Sequence, residues 1–395
     1  MHMTEPASIG KTFVLASLAV VTVTLVAVTA HSLLTRNDSA RPLRNDARLP
    51  RTDAAVVPED ADEKIDSTSV PTAANKVRVV TAANFAAGDS CYDHYTEGCD
   101  LYSAVLDLST GAVSEVTRLT SDPLGEAWPQ IASDGRTIAF TRFGSSIGSS
   151  DAMAVDLLTL ASRLLVVGAS NVSPMPDSAS AMVTTMPGFK LKTISLSDAN
   201  QSLGSESLAT GVHEPHVSAD GTKVAYYATG GGGGRGSGTA QAKVYLVTSK
   251  TTVDASEADG SAHCFWNFDG SSLYCNDRNS GGITVRTVGG NGAIGAQSVG
   301  IKFPTVAEMA AADPAYGNGA CQTVSVQYGS FCDKTRVALV AGCVGTTSEG
   351  AGEQIFSHAI LMDVTTRAIT PIGARMAEAF GGPGTHSWTT ACGAI

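Results

Sequence analysis

The chemistry available to this chain rests on a few residues. The set with the most content is Glu214, His263 and His386, flanked by His213 and His216. Imidazole nitrogens and a carboxylate are donors for Zn, Mn or Fe. A metal held there would activate water for a metal-dependent lyase or hydrolase, with His216 as a base. Without a metal, His213, His216 and Trp128 would instead bind a ligand. The plain alternative for all of them is hydrogen bonding to neighbouring strands or water. Other motifs lack their context. Gly144–Gly148 matches G-x-S-x-G, but a strand-like segment follows where a nucleophile elbow needs a helix. Gly290–Gly295 matches G-x-G-x-x-G with no helix after it to cradle a phosphate, and the glycine run 230–236 lacks the Lys-Ser or Lys-Thr of a phosphate loop.

Residues as distant as 214, 263 and 386 can meet only if the fold repeats, and it does. Pro129-Gln-Ile-Ala-Ser-Asp134-Gly135-Arg-Thr-Ile-Ala-Phe140 recurs as Pro215-His-Val-Ser-Ala-Asp220-Gly221-Thr-Lys-Val-Ala-Tyr226. A third copy is Cys264-Phe-Trp-Asn-Phe-Asp269-Gly270-Ser-Ser-Leu-Tyr-Cys275, and a degraded one spans Pro174–Thr185. Each is an extended run, an Asp-Gly turn and a second apolar run, a hairpin signature. The first period is near 43 residues and the next is 49. Repeats of that length are characteristic of β-propellers, with four short strands per blade. Asp100–Asp107, Asp151–Asp156 and Ala359–Asp363 supply a third strand, and Ser114–Thr120 a fourth. Measured from the turn Asp, Trp128, Glu214 and His263 occupy one column six residues upstream, joined by His386 if Cys392 takes the turn position. Such a column would ring the central channel near one mouth.

The P-x-x-S-x-D-G hairpin followed by D-L-Y-x-x-x-L-D and R-L-T resembles the TolB-type, WD-like repeats of bacterial envelope β-propellers. The resemblance covers about residues 76–395 and implies the fold; no N-terminal α/β domain like that of TolB itself is recognisable. The expectation is an all-β, six-bladed propeller, with seven blades as the alternative. Inner strands should begin near Glu126, Val172, His213, His263 and Cys321, and the C-terminal Thr385–Ala391 should join Lys76–Thr81 to close the ring. Residues 305–320 read as a short helix or loop insertion. Trp128, Trp266 and Trp388 read as packing between blades rather than a sugar platform.

Phe13–Ala30 carries no charge and would span about 27 Å as a helix. Residues 1–31 thus read as a cleaved signal peptide or a membrane anchor. Arginines 36, 41, 44, 48 and 51 after it argue for the opposite orientation, but the cysteines favour export. Residues 32–75 lack hydrophobic periodicity and read as a disordered linker. The eight cysteines, Cys91, Cys99, Cys264, Cys275, Cys321, Cys332, Cys343 and Cys392, suit disulfides and an oxidising compartment. Cys264 and Cys275 face each other across their turn. Cys91–Cys99, Cys321–Cys332 and Cys343–Cys392 are the expected remaining pairs, among 105 connectivities. A net charge of −11, from 26 basic and 37 acidic residues, disfavours nucleic acid. The sequence thus predicts a module of the bacterial envelope, periplasmic or extracellular, secreted or anchored by residues 13–30. Its expected role is non-catalytic binding of a protein, peptide or envelope glycan, with membrane contact only through the N-terminal segment. The metal-dependent enzyme is the alternative.

Overall fold

A computed structural model describes residues 75–86, 99–144, 149–197, 203, 208–229, 240–256, 261–277, 281–346, 351–382, 386–393 and 395. The signal or anchor segment, the linker, Cys91, most of the Gly144–Gly148 motif and the glycine run fall outside them. The described strands form six antiparallel sheets. Blade 1 holds β1 (Lys76–Ala83), β2 (Asp100–Asp107) and β3 (Val113–Arg118), completed by the C-terminal β23 (Ser387–Gly393). Blade 2 is β4 (Glu126–Ile131), β5 (Thr137–Phe143), β6 (Ser150–Asp156) and β7 (Ser162–Val167). Blade 3 contributes β8 (Ala169–Pro174), β9 (Ser180–Thr185) and β10 (Lys190–Ser195). Blade 4 runs β11 (Val212–Val217), β12 (Lys223–Thr229), β13 (Ala240–Leu246) and β14 (Thr251–Asp254). Blade 5 has β15 (Ser261–Trp266), β16 (Ser272–Asp277), β17 (Gly282–Thr287) and β18 (Ser298–Lys302). Blade 6 contains β19 (Cys321–Phe331), β20 (Arg336–Thr346), β21 (Ala351–Asp363) and β22 (Ile369–Thr370).

The innermost strands touch in the cyclic order β23, β4, β8, β11, β15, β19 and back to β23, so the ring closes with six blades rather than seven. Closure comes from pairing β1 with β23, Arg78 opposite Gly393 and Ala83 opposite Ser387. It removes the open edge that an inner strand would otherwise expose. Between the blades lie small and branched apolar side chains, such as Ala139, Ala152, Leu165, Val172 and Val183 between blades 2 and 3.

The Asp-Gly turns are longer than the two-residue turns the sequence suggests. Ala132 N–H donates to Thr137 O and Gly135 N–H to Ala132 O, leaving four residues in the loop. Asp134 accepts from the backbone N–H of Arg136 and Thr137, and Gly135 takes φ +64°, where a side chain would be strained. The register beyond the turn is unchanged, so Cys264 still faces Cys275 and is bonded to it, with a Cα separation of 4.1 Å. Two other expected pairs are corrected. Cys321 joins Cys343, and Cys332 joins Cys392. Cys321 opens β19 and Cys332 directly follows its last residue, so an extended strand holds them about 35 Å apart at ~3.3 Å per residue. Cys99 is disulfide-bonded as well.

The 305–320 insertion forms α1 (Val306–Ala312) and a 3-10 turn, Pro314–Gly317. A reciprocal cap between Thr305 and Glu308 starts α1, and Met309 and Tyr316 enter the blade 6 core. A second helix, α2 (Ile372–Phe380), has no counterpart in the sequence reading. It buries Ile372, Met376 and Ala377 against blades 1 and 6. No helix among the described residues is long and apolar enough to cross a membrane.

Candidate functional site

Each innermost strand carries a bulge, and the residue at the bulge is the upstream column found in the sequence. In β4 the register slips between Ala127 and Gln130, in β8 between Ser170 and Ser173, in β11 between His213 and His216. In β15 it slips between Ala262 and Cys264 and in β19 between Gln327 and Gly329. Trp128, Asn171, Glu214, His263 and Tyr328 accordingly share left-handed backbone, with φ between 48° and 52°. None is glycine, so each conformation costs about 1–2 kcal/mol that the surrounding ladder must offset. Neighbouring strands help: Trp128 N–H donates to Thr389 Oγ1 at 2.9 Å, and Asn171 N–H to Thr141 Oγ1 at 2.8 Å. In blade 1 the slip lies between Ala82 and Ala83, which pair with Thr389 and Ser387 and leave Trp388 as the extra residue. The column position therefore belongs to Trp388, two residues beyond His386.

The bulges of blades 4, 5 and 6 bring Glu214, His263 and Tyr328 together. His263 Nδ1 lies 2.5 Å from Glu214 Oε2. The His263 ring is 4.5 Å from that of Tyr328. Tyr328 and Trp128 both pack on Cys99, Ala127 and Phe143, and the Trp128 ring meets Phe143 edge-on at 5.3 Å. A second file of rings joins this arc. Phe189 lies 4.2 Å from His213, which stacks on Tyr227 at 5.0 Å, and Tyr227 meets His263 edge-on at 6.1 Å. His216 is half-buried, and burial pushes its imidazole down to about 4, against an upward pull from Glu214. It is neutral at physiological pH.

Of the residues singled out in the sequence, Glu214 and His263 are in contact; His213 reaches His263 through the Tyr227 ring, His216 is near enough to feel the charge of Glu214, and Trp128 shares a packing cluster with Tyr328. His386 lies beside His358, at 5.9 Å, and Phe356, at 6.0 Å. Among the described residues no three His, Cys, Asp or Glu side chains are grouped to hold a metal. Trp266 is buried, and its Nε1–H donates to His216 O at 2.9 Å, a packing role. The Gly290–Gly295 motif is the tight connection of β17 to β18 and precedes no helix. Sequence reasoning missed Phe189, Asn171, Tyr227 and Tyr328. Asn171 stands six residues before Asp177 in the degraded copy, so its signal was present.

A second polar cluster lies under the insertion. His358 Nδ1 is 2.5 Å from Asp313 Oδ2, both side chains are at most 5% exposed, and Tyr316 Oη donates to Ala341 O. Burial raises the Asp313 carboxyl, but the His358 hydrogen bond and charge outweigh it and hold the carboxyl below its usual range. This cluster fastens the insertion to β21.

No protein-family model and no curated protein matches the sequence. Solved structures do. TolB from Acinetobacter baumannii aligns at 14% identity and a TM-score of 0.52, over 81% of this chain and 67% of that one. A putative TolB from Agrobacterium tumefaciens aligns at 11% and 0.47, over 75% and 88%, and a chain of a nidogen/laminin complex at 7% and 0.49, over 80% and 98%. At such identities the likeness is one of architecture. The likeness to the Acinetobacter structure, together with the six closed blades, gives this chain the fold of a TolB-like β-propeller.

Proposed function

We propose that the chain is a non-catalytic binding module that captures a protein, peptide or envelope glycan over the mouth lined by Trp128, Glu214, His263 and Tyr328. One observation carries the reading. Large polar and aromatic residues occupy the same strained bulge in five successive blades, and strain maintained at equivalent positions is a feature of functional surfaces. Disulfides support an oxidising compartment. With the apolar segment 13–30, they support a place in the bacterial envelope, periplasmic or extracellular, secreted or anchored. Fold similarity alone would not establish a role.

The test is capture by the full chain of a defined component from envelope extract, compared with Trp128→Ala. Loss of that component in the variant, with its melting temperature unchanged, is the expected result; equal capture would overturn this use of the mouth. The Glu214–His263 contact also admits the second reading, a metal-dependent lyase or hydrolase. Elemental mass spectrometry decides between them: stoichiometric Zn, Mn or Fe that disappears in His263→Ala/His386→Ala would favour the enzyme.

A further inference from the structure

We infer that the corner of the mouth formed by Glu214, His216 and His263 is a subsite for a neutral, hydroxyl-rich sugar ring. The inference deepens the binding reading above and rests on it. Glu214 Oε2 lies 2.5 Å from His263 Nδ1, and a carboxylate can only accept, so Nδ1 carries a proton and the far nitrogen, Nε2, is left to face a ligand. Among the described residues no hydrogen bond reaches that Nε2, and the side chain keeps 16% of its surface exposed. The His216 ring likewise makes no side-chain hydrogen bond among the described residues, and in its neutral form it offers one donor and one acceptor. Tyr328 and Tyr227 flank the His263 ring at 4.5 and 6.1 Å.

These groups match the chemistry of a pyranose. Vicinal hydroxyls both donate and accept, so they can pair with an imidazole nitrogen of either kind, while the C–H face of a sugar packs on aromatic rings. Anions fit poorly. A uronate or phosphate would meet the unfavourable field of a chain of net charge −11. Cations fit poorly too, because Glu214 is 5% exposed and already engaged by His263.

The test titrates the folded full chain calorimetrically with chitotetraose and maltotetraose, and with tetragalacturonate as the charged control. One neutral tetrasaccharide should bind, and tetragalacturonate should bind about tenfold more weakly or not at all. His263→Phe should weaken the neutral sugar about tenfold, the loss of one well-placed hydrogen bond, whereas His263→Gln, which keeps an acceptor, should stay within about threefold. If His263→Phe fails to fold, Tyr328→Ala against Tyr328→Phe reads the ring face in its place. Absence of binding by both neutral sugars, or affinity indifferent to these changes, overturns the assignment. Because the Trp128→Ala capture experiment uses a different readout, failure with the sugars while capture persists would leave a protein or peptide as the ligand and the mouth as its site.

Discussion

Glu126 shows how far a single side chain can depart from its ordinary behaviour. It is 2% exposed, accepts from the Thr120 hydroxyl, and faces Asp100, Asp122 and Arg142. Burial pushes its carboxyl up to about 8, with the two aspartates adding to the shift and Thr120 and Arg142 opposing it. Burial likewise raises Asp100 to about 6, against its 2.5 Å ion pair with Arg118. Between the usual carboxylate range and these raised values the folded protein holds protons that the unfolded chain has released. Stability should therefore fall as pH rises from about 5 to about 8, with Glu126 contributing a slope of at most ~1.4 kcal/mol per pH unit. Denaturant titrations across that window should show the decline, and Glu126→Gln should flatten it; an unchanged slope in the variant would show that Glu126 does not hold the proton. None of this was legible in the sequence, because Glu126 looks like any acidic strand start until Thr120 and Asp100 are folded around it. The column was legible wherever a turn Asp gave a fixed origin, as for Trp128, Glu214 and His263. Tyr328 escaped because its hairpin is one residue shorter: Phe331 pairs with Val337, where Trp266 pairs with Leu273. Trp388 escaped because β23 has no hairpin to count from, its partner β1 lying about 300 residues away in the sequence.

At the level of strands and turns, the hairpin repeat revealed the blades and their inner strands, while pairing across blades stayed hidden. The equal eleven-residue spacings of Cys264/Cys275 and Cys321/Cys332 mean different things, one a hairpin and the other the length of a single strand. α2 was hidden because its sequence, Ile372–Phe380, is short and follows a proline, and its apolar stripe has meaning only against blades 1 and 6. Close packing also limits what the strands tolerate. A Cβ at Gly329, directly after the Tyr328 bulge, would come within 2.4 Å of the Phe265 ring. Gly329→Ala should destabilise the protein by about 1–3 kcal/mol, as overpacking does, and should loosen the mouth beside it. Thermal melting reads the first effect; a melting temperature equal to that of the parent would show that Phe265 can move aside.

For the molecule as a whole, the Cys332–Cys392 bond matters most, because it ties blade 6 to the strand that closes blade 1. It spans 60 residues, against 11 for Cys264–Cys275. On chain-entropy grounds the longer crosslink is worth about 4 kcal/mol and the shorter about 3. Replacing Cys332 and Cys392 by Ser should lower chemical stability more than the Cys264/Cys275 double replacement does; the reverse order would locate the weak point of the ring elsewhere. The same bond sets how the molecule would respond to a mechanical load. β1 enters at Lys76 beside the place where β23 leaves at Gly393, so a pull on the two ends would unzip their hydrogen bonds one at a time, a geometry of low resistance. Yet Cys392 lies opposite Val79, one pair in from Gly393, and is bolted to the end of β19. Force applied at the C-terminus thus passes into blade 6 through a covalent link, and β1 alone is left free to peel, making the clasp of the ring a one-sided latch that only reductant converts into a zipper.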